Sequence, residues 1–145
     1  MGTLPKKGEI GIRCAQSRST LWFHLPVMVS TDPDLNTTGY DELTRQTDRP
    51  ALWSALTNEG AAIVRGVWGL SGIYQIMLRP NYISVTLDSS ACMDDDADEA
   101  WVRLIPQIVA IIRTVVGPAA SVYRHTPPDR RVPQWYIPLV ESLSL

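Results

Sequence analysis

Sulfur is scarce in this chain. Its 145 residues carry two cysteines, Cys14 and Cys92, far apart and in no Cys-x-x-Cys pair. With no cysteine–histidine cluster beside them, no zinc site of the usual spacing can be read, and no metal ligand or cofactor is expected. Histidine is equally sparse, at His24 and His125 alone. Lysine is confined to Lys6 and Lys7, and the remaining cations are arginines scattered along the chain. With a net charge of −2 and no basic stretch, a nucleic-acid partner is not expected. Long apolar runs are missing too. The longest, Leu104 to Val116, is broken by Pro106, Gln107 and Arg113, whereas a bilayer span needs about 20 apolar residues. Lys6 and Lys7 have no apolar stretch behind them, so the N-terminus does not read as a secretory signal. Lys6 also occupies the place where a myristoylation site wants Ser or Thr. The expectation is a cytoplasmic protein without a membrane partner.

What is present suits one globular core, with 45% hydrophobic and 19% charged residues. Ile10, Ile12 and Cys14 alternate, as do Leu21, Phe23 and Leu25, with Trp22 and His24 on the opposite side. This period of two predicts two strands joined by the polar turn from Gln16 to Ser19. Thr31 to Pro50, rich in Asp, Thr, Asn, Pro and Gly, has no period and predicts a loop. Asn58 is the predicted N-cap of a helix whose face holds Ile63, Val67 and Leu70, stopped by Gly69 and Gly72. Ile73 to Leu78 and Tyr82 to Leu87, joined by Arg79-Pro80-Asn81, predict an antiparallel hairpin with Tyr82, Ser84 and Thr86 facing outward. A second helix follows from the apolar stripe Trp101, Leu104, Ile105, Ile108, Ile111, Ile112 and Val115. Asp96 and Glu99 are spaced as a capping box at its start, and Gly117-Pro118 ends it. Pro106 lies awkwardly inside this stripe and implies a kink or a later start.

The resulting fold class is α+β. The expected architecture is an antiparallel sheet of about four strands in β-β-α-β-β-α order, with two helices on one face. Residues 1–125 form the domain, and 126–145 form a Pro-rich tail ending in the aromatic patch Trp135-Tyr136-Ile137, which is expected to dock onto the domain.

Little catalytic chemistry is legible. The acidic run Asp94, Asp95, Asp96, Asp98 and Glu99 lacks the spacing and central glycine of a calcium loop. Negative charge at the start of a helix accounts for it. Gly66, Gly69 and Gly72 precede a strand and are followed by no Lys-Ser/Thr pair, so they read as a helix exit and not a phosphate loop. Neither histidine has a nucleophile in its own segment, and both read as surface residues. Trp22, on the outward face of its strand, reads as an interface anchor or, alternatively, as a residue covered by the loop from Thr31 to Pro50. Trp22, His24, Tyr82 and Trp135 are the candidate partner-binding residues.

The stretch from Ala61 to Leu87 resembles the N-terminal domain of Nfu/NifU-type iron–sulfur scaffold proteins. The likeness rests on the turn Leu70-Ser71-Gly72-Ile73, the strand Tyr82-Ile83-Ser84-Val85-Thr86, and Trp101 with Leu104-Ile105-Pro106 in the later helix. Ser19-Thr20-Leu21-Trp22-Phe23 is similar to that family's second strand. The family's Thr-Pro-Asn-Pro turn is replaced here by Ala15 to Ser19, and no cluster-carrying Cys-x-x-Cys domain is present in this sequence. The resemblance implies a non-catalytic accessory or adaptor, with iron–sulfur assembly or recipient proteins as partners. Two cysteines per chain fall short of the four thiolates a cluster usually takes. The alternative is an interaction or structural protein of the same fold with no role in iron–sulfur metabolism.

Overall fold

A computed structural model of the chain describes residues 9–15, 19–33, 35–36, 54–88, 96–125 and 132–143. Residues 16–18 of the turn predicted at Gln16 to Ser19, residues 34 and 37–50 of the loop predicted at Thr31 to Pro50, the acidic residues 94 and 95, and Cys92 lie outside them.

The strands are β1 (Glu9–Cys14), β2 (Thr20–His24), β3 (Leu35–Asn36), β4 (Ile73–Arg79), β5 (Tyr82–Leu87) and β6 (Ser121–Arg124). The helices are α1 (Asn58–Trp68), α2 (Asp96–Val116) and α3 (Tyr136–Leu143). The fold class is α+β, as expected, but the finer architecture differs. One six-stranded sheet runs in the order β3-β4-β5-β2-β1-β6, and it is mixed, because β6 pairs parallel to β1.

Two strands and one helix were not foreseen. β3, inside the stretch expected to be a loop, pairs with the outer edge of β4 through Leu35 opposite Leu78. β6 and α3 follow α2, where only a turn and a Pro-rich tail were expected. Pro138 falls in the first turn of α3, where its missing N–H would have had no intrahelical partner.

The β1–β2 and β4–β5 pairs form as predicted. Ile12 faces Phe23 across the first, and Arg79 faces Tyr82 at the tight end of the second. β2 also pairs antiparallel with β5, placing His24 opposite Tyr82. Because β5 and β6 are separated by β2 and β1, α2 must cross the sheet to join them.

Alternation puts Ile10, Ile12, Leu21, Phe23, Ile83 and Val85 on the helix-covered face. There they merge with Ile63, Val64 and Val67 of α1 and with Trp101, Leu104, Ile105 and Ile108 of α2 into one buried cluster. α1 and α2 approach so closely that a Cβ on Gly66 would lie 2.7 Å from Ile111 Cγ2.

Local chemistry sets the helix ends. The N-cap of α1 is Thr57 and not Asn58: its hydroxyl accepts from Gly60 N at 2.9 Å and donates to Met28 O at 2.7 Å. α2 runs unbroken through Pro106. The carbonyl deprived of its donor belongs to Val102, on the exposed side of the helix, where water can serve instead. Gly117, at φ 127°, ends the helix, and its N–H donates to Arg113 O at 3.0 Å. Trp101 is fully buried as expected, whereas Trp68 only borders the core.

The C-terminal segment docks onto the domain. Tyr136 is fully buried and its hydroxyl donates to Ile12 O. Arg113 of α2 donates to Ala120 O at 2.9 Å and to Leu143 O at 2.6 Å, tying α3 to the helix exit.

Candidate functional site

The second face of the sheet carries no described helix. Its outward positions are set by the same alternation that fills the core, so Arg13, Trp22, His24, Tyr82, Ser84, Met77 and Arg79 stand on it together. Here the predicted residues Trp22, His24 and Tyr82 meet. Trp22 stacks on Tyr82 with ring centroids 5.6 Å apart, and His24 stacks on Tyr82 at 4.8 Å. The guanidinium of Arg13 lies 4.9 Å from the centre of the Trp22 ring, and that of Arg79 lies 5.6 Å from the Tyr82 ring. Both distances suit cation–π attraction. Between Trp22, Met77, Arg79, Tyr82 and Ser84 is a notch of about 200 Å³, floored by the small Ser84 side chain.

The row extends across β1 because Gly11 leaves room. Gly11 is in register with His24 on one side and with Tyr123 on the other. A Cβ there would lie 2.8 Å from the Tyr123 phenol. Across this gap the His125 ring reaches His24, with centroids 3.9 Å apart. Directly after β6, the backbone N–H of His125 donates to Ile12 O at 3.0 Å. Tyr123 Oη and His125 Nδ1 are 3.2 Å apart, a hydrogen bond whose direction follows the imidazole tautomer.

Electrostatics keep both histidines neutral near pH 7. Burial first, then His125 and Arg13, push the His24 imidazole down to about 4. Its Nε2 is buried and has no hydrogen-bond partner among the described residues. Burial and then Arg13 lower His125 as well. Burial, then Glu9 and Tyr136, raise the Tyr123 phenol, which therefore stays protonated.

Trp135 stands apart from this face. Its indole N–H donates to Asp98 Oδ1 at 3.1 Å, fastening the C-terminal segment to the first turn of α2. With Asp98, Glu99, Val102 and Gln134 it lines a separate hollow of about 460 Å³.

Sequence reasoning missed Arg13, Arg79, Tyr123 and His125 as members of the face. Arg13 and Arg79 share the strand parity of Trp22 and Tyr82, and that signal could have found them. Tyr123 and His125 depend on β6 pairing with β1, which no local pattern announces. Cys14 lies in the core at 6% exposure. Among the described residues no group of three or more His, Cys, Asp or Glu could hold a metal ion, and no helix is long and apolar enough to cross a membrane. No family model, no curated protein and no solved structure matches the chain, so the open face with its row of stacked rings is read from its own geometry.

Proposed function

We propose that the chain is a non-catalytic protein-binding module that recognises its partner with the open face of the sheet. One observation carries this reading: Trp22, Tyr82 and His24 form a contiguous row of rings on a sheet face that no described helix covers. Tryptophan, tyrosine and arginine are the side chains that most often anchor interfaces. Two chemical features favour binding over catalysis. The phenol paired with an imidazole is Tyr123, whose raised pKa makes it a poor nucleophile at neutral pH. The two guanidiniums on the face, Arg13 and Arg79, sit over rings and not beside a nucleophile.

The finer proposal, drawn from the Nfu/NifU resemblance, is an adaptor whose partners assemble or receive iron–sulfur clusters. The alternative is a module of this shape serving partners outside iron–sulfur metabolism; the burial of Cys14 counts only against a cluster held by this chain itself. Affinity capture from the native cell, with wild type beside the Trp22→Ala/Tyr82→Ala double variant, tests both levels. A partner held by wild type and lost by the folded variant supports the module. Partners held equally by both would remove it. Captured partners without a cluster-assembly or cluster-receiving protein among them would remove the iron–sulfur version alone.

A further inference from the structure

We propose that the open sheet face takes an extended acidic segment of a partner protein, seating one aliphatic or prolyl side chain in the Trp22–Tyr82–Ser84 notch while Arg13 and Arg79 hold carboxylates on either side. This rests on the binding-module reading above and names the chemistry of its partner.

Ring orientation is the first argument. β1 and β5 flank β2 on opposite sides. Trp22 therefore has the Arg13 guanidinium arriving from one side and Tyr82 from the other. Tyr82 in turn has the β2 rings on one side and Arg79 of β4 on the other. His24 is held between Tyr82 and His125. With their faces taken by neighbours, the rings offer their edges outward. Aromatic edges are the electropositive part of the ring quadrupole, suited to carbonyl and carboxylate oxygens. Nucleobases bind such surfaces by stacking on free ring faces, which this row does not offer.

Charge is the second argument. The chain as a whole is at −2, yet two guanidiniums bracket this row. Glu9, the acidic residue of β1 on the same face, stands at the far end of that strand, opposite Ser121. Position is the third argument. Arg13 and Arg79 belong to strands three spacings apart in the sheet, about 14 Å at the usual strand separation. Four or five extended residues cover that distance at roughly 3.3 Å each. The notch, about 200 Å³, lies between the two guanidiniums and is walled by Trp22, Tyr82 and Met77. Its size suits one side chain and not a globular surface.

The test is a titration of the ¹⁵N-labelled 145-residue chain with three peptides and one oligonucleotide, followed by NMR and by fluorescence anisotropy. The first peptide is Glu-Glu-Pro-Leu-Glu-Glu; the second has every Glu replaced by Gln, and the third every Glu by Lys. The oligonucleotide is oligo-dT. The expected result is that the acidic peptide shifts the amide signals of β2, β4 and β5 and loses at least tenfold in affinity between 50 and 300 mM salt. It should lose a similar factor in Arg13→Gln/Arg79→Gln, and Ser84→Tyr, which fills the notch from a surface position, should abolish binding. Equal binding of the Gln peptide, preference for oligo-dT, or unchanged affinity in the arginine double variant would overturn the acidic-segment proposal while leaving the face as a binding surface. If no probe perturbs the face, and the wild-type and Trp22→Ala/Tyr82→Ala proteins capture the same partners, the binding-module reading itself fails.

Discussion

Gly11 is where residue-scale packing decides the shape of the face. A side chain at this position would stand between the outward side chains of β2 and those of the β6 segment; its absence lets His125 reach His24 across β1. Gly11→Ala places a methyl against the movable end of Tyr123, so the phenol should swing aside with little loss of stability. Its hydrogen bond to His125 should break, and as the methyl parts the two imidazoles the lowering of His24 by His125 should weaken, so that His24 titrates higher by NMR. Unchanged histidine titration would show that Gly11 does not control the pair. Gly60 is less forgiving, because its added Cβ would lie 1.9 Å from Val29 O, a backbone atom. Gly60→Ala gains about 1 kcal/mol of helix propensity but forces α1 off the 29–30 segment, at about 1–3 kcal/mol or more. A net fall in Tm is expected, and a rise would contradict the close approach. The histidines also set a pH dependence. The His24 pKa is about 4 folded and about 6.5 unfolded, so between these values the unfolded chain holds the extra proton. The contribution is full above about pH 6.5 and is lost as pH falls toward 4; His125 shifts in the same direction. In melts from pH 8 to pH 4, wild type should lose more Tm than His24→Phe, and equal losses would refute the linkage.

At the scale of elements, caps and ties govern what the chain can keep folded. Thr57 satisfies the start of α1 and fastens it to Met28. Thr57→Ala should therefore cost about 1–2 kcal/mol in denaturant unfolding, in the upper part of the range for cap removal. α3 is short, with eight residues, and would not persist alone in water. Tyr136 holds it: Tyr136→Phe removes the bond to Ile12 O at about 1 kcal/mol, while Tyr136→Ala empties a fully buried site at about 3–5 kcal/mol. If Tyr136→Ala unfolds no more readily than Tyr136→Phe, the docked helix contributes little. The long, periodic elements are legible in the sequence. β1, β2, the β4–β5 hairpin and α2 each repeat an apolar period over enough residues to declare themselves. β6 offers four residues with a single fully core-facing apolar side chain, Val122. β3 has two residues. No period exists at that length, so only pairing partners could reveal them.

Taken as a whole, the molecule is a mixed sheet with one face filled and the other covered by no described helix. The alternation that hides Phe23 and Ile83 in the core also presents Trp22 and Tyr82, which is why three of the four candidate residues, Trp22, His24 and Tyr82, fall together. Trp135 does not join them, because its place follows from how the C-terminal segment folds back onto α2. The sequence by itself determined the α+β class, the two antiparallel pairs, the parity of each strand and the apolar stripes of α1 and α2. Those properties arise from the period of neighbouring residues and need no distant partner. Only the tertiary structure decided that β1 is flanked by a parallel β6, that α2 crosses the sheet, and that His24, His125 and Tyr123 share one surface. These follow from contacts between residues about a hundred positions apart, whose free energy depends on closing the chain and excluding water together, and local periodicity carries no record of them.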